Sequence, residues 1–211
     1  VPTASVGPGI DFPKRNGVFG KYAARWLSLV NGKSYNGDMF GNGTYWVQKF
    51  NNSFKKYVPF AEFAKYSGSN DRVFQQWIAH PDFDEYWQKF YPSPKDYQKF
   101  NIPILTITGF FDGDQPGAMH YYTQHMKHGN AEAKKQHYLI MGPWHHAGTR
   151  KPNKSYGKMK FGANSAIDIN KLHLDWFDWT LKGKKDSKPA FLKDRVAYYE
   201  IESNKWRYQS T

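Results

Sequence analysis

The run Ile102-Pro-Ile-Leu-Thr-Ile-Thr108 and the later run His137-Tyr-Leu-Ile-Met141 decide the fold of this chain. Both are short and nearly continuously apolar, and the first is rich in β-branched residues, which is the pattern of strands buried in a parallel sheet. Between them, Pro116 opens a segment whose apolar residues recur at helical spacing until Gly129. Strand, helix and strand of this length predict a right-handed crossover between parallel neighbours.

An acidic loop and a histidine loop follow the two predicted strands. The first contains Asp112, and the second contains His146, 34 positions later. Because open α/β sheets place their sites at the carboxyl ends of strands, we predict that both residues lie at one sheet edge. A carboxylate can orient a histidine that acts as a general base, and an acid followed by a histidine is the order in an α/β-hydrolase triad. Spacing alone leaves an alternative open, in which Asp112 caps the next helix and His146 is an ordinary loop histidine.

The two loops, Gly109-Phe-Phe-Asp112 and Gly142-Pro-Trp-His-His146, resemble a known family. It is the X-Pro dipeptidyl-peptidase, cocaine esterase and α-amino-acid ester hydrolase family, which also includes glutaryl-7-aminocephalosporanic acid acylases. In that family a Gly-Trp-Tyr-Asp-like turn supplies the triad acid and a Gly-Pro-Trp-x-His loop supplies the triad base. The resemblance therefore implies Asp112 as the acid and His146 as the base. His145 occupies the variable position of the loop.

Three residues beside these positions are candidate substrate contacts: Phe111, Asp114 and Trp144. Phe110-Phe111 depart from the family pattern, which has Trp-Tyr there. Family members that accept α-amino substrates can carry a carboxylate at the position of Asp114, so the resemblance implies a contact with a substrate ammonium group. The alternative for Asp114 is an N-cap before Pro116, a common use of aspartate.

The resemblance implies an α/β protein with a partial α/β-hydrolase fold. We expect its last parallel strands and helices, an inserted helical cap, and the beginning of a C-terminal β jelly-roll. The predicted segments are a sheet strand end and lead-in at 1–16, the cap at 17–97, the C-terminal part of the hydrolase domain at 98–190, and the first β-sandwich strands at 191–211. Helical spacing predicts cap helices at Phe19–Val30, Tyr45–Tyr57, Pro59–Tyr66 and Asp71–Ala79. Their aromatic residues either line a pocket or, as we favour, pack in a core.

A Gly-x-Ser-x-Gly nucleophile elbow does not occur in the 211 residues. We therefore expect the nucleophilic serine in an upstream segment, and we expect this chain alone to bind a substrate without turning it over. The resemblance implies that the complete protein is a serine hydrolase whose substrate is a small-molecule ester, an amide or a short peptide. The alternative to a hydrolase is a non-catalytic binding module. A serine elbow in the upstream segment would favour the hydrolase, and its absence would favour the binding module. The sequence leaves a homo-oligomer open.

Net charge is the main argument for a different class of function. The 30 Lys and Arg residues outnumber 18 Asp and Glu, and lysines alternate with aromatic residues in Tyr45–Tyr57, as in some single-strand binders. We favour a solvated basic surface over nucleic-acid binding, because the charges are dispersed and no nucleic-acid motif is present.

Cofactors and membranes are not implied either. Zero cysteines exclude disulfides and thiolate metal sites, and no phosphate-binding glycine loop is present. The spacing of His120, His125 and His128 does not place all three on one helix face, so we predict no metal. No apolar run approaches the roughly 20 residues of a membrane helix. The compartment stays open: periplasmic or secreted if a signal peptide precedes Val1, and cytoplasmic otherwise.

Overall fold

The computed structural model describes residue 7 and residues 9–29, 37–183 and 188–210. The chain divides into two compact units, Pro8–Tyr91 and a second unit made of Val1–Gly7 with Pro92–Thr211. The strand end predicted near the first five residues lies outside the described residues, as does the predicted helix end at residues 30–32.

The unit Pro8–Tyr91 is mainly helical. Its elements are β1 (Lys14–Arg15), β2 (Val18–Phe19), α1 (Tyr22–Leu29), α2 (Gly37–Gly41), α3 (Gly43–Lys55), a 3-10 turn (Phe60–Glu62), α4 (Phe63–Tyr66), α5 (Asp71–Ile78) and α6 (Glu85–Gln88). The four predicted helices are thus present with shifted ends. Asn42, Asn70 and Asp84 start α3, α5 and α6, since each side chain accepts a hydrogen bond from a backbone N–H of the first turn.

Aromatic side chains form the core of this helical unit. Trp46, Phe63 and Phe74 are fully buried together with Ala24, Leu27 and Ala64. Such a cluster agrees with the interpretation of these aromatic residues as core packing. That the unit acts as a cap over a substrate pocket stays a prediction.

The second unit carries the sheet. Its elements are α7 (Pro94–Lys99), β3 (Ile104–Phe111), α8 (Gln115–His128), α9 (Ala131–Lys135), β4 (His137–His145), a 3-10 turn (His146–Thr149), β5 (Ser155–Tyr156), β6 (Met159–Lys160), a 3-10 turn (Ala163–Ser165), α10 (Ile169–Thr180), β7 (Val196–Glu200) and β8 (Lys205–Gln209). The sheet order is β3-β4-β7-β8. β3, β4 and β7 are parallel and β8 is antiparallel to β7, so the predicted α/β class with parallel strands is confirmed.

The last two strands correct one prediction. We predicted that residues 191–211 begin a separate β-sandwich, but β7 pairs in parallel with β4, with Leu139 opposite Val196. β8 then extends the same sheet. The alternating burial of β7, in which Ala197 and Tyr199 are buried, suits a sandwich strand and a sheet strand equally. Only the pairing partner of β7 distinguishes the two possibilities, and this partner is β4, the strand that leads to His146.

Helix α7 belongs to the unit that carries the sheet, whereas we predicted most of it to be part of the helical cap. We expected the helical cap to end at residue 97, whereas the division falls between Tyr91 and Pro92. A capping box between Ser93 and Asp96 starts α7. Tyr97 is buried with its ring centroid 5.9 Å from that of Tyr121 on α8, so packing assigns this helix to the sheet unit.

Side chains from the sheet and from helix α10 form the core of this unit. β3 and β4 contribute Leu105, Ile107 and Ile140, which pack with Ile169, Leu172 and Trp176 of α10.

In the part of the chain that the structure describes, none of the helices has the length and apolar character to cross a bilayer.

Candidate active site

The candidate site lies where β3 and β4 end side by side. The strands are in parallel register from the pair Ile104–His137 to the pair Gly109–Gly142. A register shift follows, and Phe111 then stands opposite His145. Such an irregularity re-aims the residues beyond it. Asp112 and His146 come directly after this last pair, so the sheet brings together two residues that are 34 positions apart.

Asp112 is held in a tight turn between β3 and α8. Its backbone N–H donates to the carbonyl of Gly109 at 3.1 Å, and its own carbonyl accepts from the N–H of Gln115 at 3.2 Å. Its Oδ1 accepts the backbone N–H of Asp114 at 3.0 Å. The side chain is fully buried. A buried carboxylate needs a charged or hydrogen-bonded partner, and this turn points it towards the histidine loop.

His146 supplies that partner. Its Nδ1 lies 3.1 Å from Oδ1 of Asp112, and half of the imidazole remains exposed. The hydrogen bond with Asp112 raises the pKa of His146, burial opposes this, and the charges of Asp112 and Asp114 raise the pKa further, while Arg150 lowers it. Donation from Nδ1 to the carboxylate assigns the neutral tautomer whose Nε2 can accept a proton. The arrangement can therefore perform general base chemistry.

Asp114 is a second carboxylate at the same imidazole. Its Oδ2 lies 3.3 Å from Nδ1 of His146. Asp114 stands at the N-cap position of α8, yet within the described residues its side chain makes no capping hydrogen bond. Over the described ranges, Asp112, Asp114 and His146 are the one group of three whose ligand-type atoms converge, all within 4.8 Å. Nδ1 of His146 is hydrogen-bonded to Asp112 and lies within ion-pair distance of Asp114, so the three residues form one charged cluster around the imidazole.

Trp144 is not open to a substrate, which corrects its prediction as a substrate contact. The side chain is completely buried, and its Nε1 donates to the carbonyl of Ser165 at 2.9 Å. Glycines make room for it. A Cβ at Gly109 would lie 2.1 Å from the Trp144 carbonyl oxygen, and one at Gly142 would lie 2.3 Å from its ring. The close packing of Trp144 thus fixes the end of β4 and positions the loop that carries His146.

Phe111 lies in an aromatic group beside the site. Its ring is stacked on that of Phe161 at 5.9 Å and is tilted against that of Tyr156 at 5.4 Å. Tyr156 also contacts the ring of His145 at 5.1 Å, and Asn153 lies within hydrogen-bond distance of His145 Nε2. His145 therefore faces the β5–β6 hairpin, whereas His146 faces the carboxylates.

Sequence reasoning missed the residues of this hairpin and of the preceding turn. The dispersed basic residues are predicted only to form a solvated surface, yet the charge of one of them, Arg150, lowers the pKa of His146. Tyr156 was not singled out. The turn residue Gly157, at φ +59°, was the available signal for a hairpin. Its strands are only two residues long, which is too short for periodicity to reveal them.

The fold and the site define a mixed α/β protein in which a carboxylate and a histidine are paired at adjacent strand ends. The family model for X-Pro dipeptidyl-peptidases (S15 family) matches residues 30–148, more than half of the chain. The chain belongs to this family of hydrolases. The resemblance drawn from the two loops is confirmed at the level of the family.

Two known proteins are similar to the chain. A cocaine esterase from Rhodococcus sp. (strain MB1 Bresler) is 28% identical over 141 residues, which are 64% of this chain and 22% of the esterase. The crystal structure of an aminopeptidase from the marine sediment archaeon Thaumarchaeota archaeon matches with a TM-score of 0.65 at 21% identity, over 92% of this chain and 31% of the aminopeptidase. The chain thus spans less than a third of the length of either protein.

Proposed function

We propose that this chain is the acid- and base-bearing part of a serine hydrolase that cleaves an ester or amide bond. The hydrogen bond of 3.1 Å between His146 Nδ1 and Asp112 Oδ1, in a chain of the X-Pro dipeptidyl-peptidase family, carries the proposal. Its nucleophile is a serine outside these 211 residues, because no Gly-x-Ser-x-Gly elbow occurs within them.

The proposed reaction passes through an acyl-enzyme. The serine Oγ attacks the carbonyl carbon while Nε2 of His146 takes the hydroxyl proton, and a tetrahedral intermediate forms. The bond to the leaving oxygen or nitrogen then breaks as His146 returns the proton to it. Water, deprotonated by Nε2 of His146, then attacks the acyl carbon, and the bond to the serine Oγ breaks as His146 returns the proton to that oxygen, which releases the acid. Asp112 stays ionised throughout and stabilises the imidazolium.

Exposure suits these two roles. The buried carboxylate of Asp112 is screened little by water, so its attraction to a protonated imidazole is strong. The half-exposed ring of His146 leaves the proton-accepting side accessible to a nucleophile and a substrate. Phe111, partly buried at the end of β3, is the candidate wall for the acyl or leaving group.

The substrate class of the proposal is an ester, an amide or a short peptide of small size. The cocaine esterase and the aminopeptidase that are similar to the chain act on an ester and on peptides, as their names state, and the proposed substrates cover this range. Nucleic-acid binding receives no support from the site, whose nearest charged groups are two carboxylates and one guanidinium.

The test is hydrolysis of p-nitrophenyl acetate by the intact reading frame and by this chain with and without its separately expressed upstream segment. We expect turnover only when the upstream segment is present, and a loss of roughly 10⁵- to 10⁶-fold in kcat for His146→Ala. His145→Asn is the matched control, because His145 faces the hairpin and we expect it to keep most of the rate.

The opposite result is equally clear. If the intact protein shows no turnover that depends on His146 with esters, amino-acid esters or X-Pro amides, the serine hydrolase proposal fails. The non-catalytic binding module is then the better interpretation of the same fold.

A further inference from the structure

We propose that Asp114 is a positioning residue, a second carboxylate that holds the imidazole of His146 together with Asp112. The inference deepens the proposed function and rests on it for its kinetic arm. It assigns to Asp114 a role other than the contact with a substrate ammonium group that the family resemblance implies.

The geometry places two acceptors around one donor. Nδ1 of His146 lies 3.1 Å from Oδ1 of Asp112 and 3.3 Å from Oδ2 of Asp114. The hydrogen bond runs to Asp112, and the carboxylate of Asp114 lies within ion-pair distance of the same nitrogen, so its charge acts on the same imidazole. A substrate ammonium group at Asp114 would have to compete with this contact.

Asp114 also holds the other acceptor in place. Its backbone N–H donates to Oδ1 of Asp112 at 3.0 Å, the same oxygen that accepts from His146. The two residues therefore form one turn in which the position of Asp114 sets that of Asp112. The Asp114 side chain is 22% exposed, compared with none for Asp112, so the outer carboxylate adds charge at a lower desolvation cost.

Charge favours the arrangement only when the histidine is protonated. Two carboxylates in one turn repel each other, and an imidazolium between them relieves that repulsion. Arg150 is the other charged group that acts on His146, and it has the opposite effect. With two carboxylates at Nδ1, His146 is able to keep its proton on Nδ1 after either Asp112 or Asp114 is replaced with asparagine. This redundancy is the testable consequence.

The first experiment is an NMR titration of the histidines of this 211-residue chain, in the presence of EDTA so that a bound cation does not contribute. His146→Gln identifies the resonance. We expect the pKa of His146 to fall in Asp114→Asn, to fall further in Asp112→Asn, and to be lowest in the double variant. Glu132→Gln, which removes an exposed carboxylate on α9, is the charge-matched control and leaves the pKa of His146 unchanged.

The second experiment measures kcat and KM of the intact reading frame with p-nitrophenyl acetate and with an α-amino-acid p-nitrophenyl ester. In a triad with one carboxylate, the Asp-to-Asn change costs about 10⁴-fold because the wrong tautomer is favoured. With Asp114 as a second acceptor, we expect Asp112→Asn to cost only roughly 10- to 100-fold, and the double variant about 10⁴-fold. Asp114→Asn lowers kcat by the same factor for both substrates.

Three outcomes would overturn the inference. One is an unchanged pKa of His146 in Asp114→Asn. Another is a rise in KM confined to the amino-acid ester, which is the signature of ammonium binding. The third is a loss in Asp112→Asn as large as in the double variant. If the intact protein has no His146-dependent hydrolysis at all, the proposed function fails, whereas the titration still decides whether Asp114 contacts His146.

Discussion

His146 shows how single residues define the chemistry of this site. The hydrogen bond with Asp112 is the largest influence on its pKa and raises it above the ordinary value of 6.5, with burial acting in the opposite direction. Because only the neutral imidazole can take a proton from a nucleophile, we expect kcat/KM of the intact protein to rise with pH through a midpoint above 6.5 and then to level off.

The measurement is the pH profile of p-nitrophenyl acetate hydrolysis between about pH 5 and pH 9. Asp112→Asn removes the main cause of the raised pKa and should move the midpoint to lower pH. A midpoint at or below the ordinary value in the wild type would show that His146 is not the group that limits the reaction.

At the scale of secondary structure elements, the close approach of β3 to the end of β4 depends on Gly109. A Cβ there would lie 2.1 Å from the backbone carbonyl oxygen of Trp144, so a strand would have to move. We expect Gly109→Ala to destabilise the protein by at least about 3 kcal/mol. The measurement is the free energy of unfolding from urea denaturation.

Gly113 is the matched control in the next turn of the chain. In the described part of the protein, nothing lies within 4 Å of a Cβ built at this position. Gly113→Ala should therefore change the unfolding free energy by less than about 1 kcal/mol. Equal costs for the two variants would contradict the assignment of Gly109 as a site of obligatory close contact.

At the scale of the whole molecule, a buried pair of histidines leads us to expect that folding depends on pH. His125 and His137 are fully buried, with their Nδ1 atoms 2.8 Å apart, and Nε2 of His137 lies 2.8 Å from Oγ1 of Thr106. Burial, together with the smaller effect of His125, lowers the pKa of His137 to about 3. Burial and, to a smaller extent, Lys134 lower the pKa of His125. These residues lie at the start of β4 and on α8, away from the strand ends that carry the candidate site.

The sign of the effect follows from the direction of the pKa shift. The folded state binds protons more weakly than the unfolded state, so the stabilisation is complete above the unfolded pKa near 6.5 and is lost as the pH falls towards 3. We expect amide hydrogen exchange in β3 and β4, corrected for intrinsic rates, to become faster between pH 7 and pH 4. The double variant His125→Leu/His137→Leu should weaken this dependence, and His128→Leu, on the same helix, should not. An equally steep dependence in the double variant would contradict the prediction.

The sequence by itself determined the α/β class, the parallel pairing of β3 with β4, and Asp112 and His146 as neighbours. Apolar runs report burial, and strand ends follow from turn residues, so local patterns were sufficient. Family motifs confined to two loops added the family. Only the tertiary structure decided that residues 196–209 extend the same sheet, that Trp144 is buried, and that Asp114 reaches His146. These features depend on partners distant in sequence, and such partners leave no periodic signal.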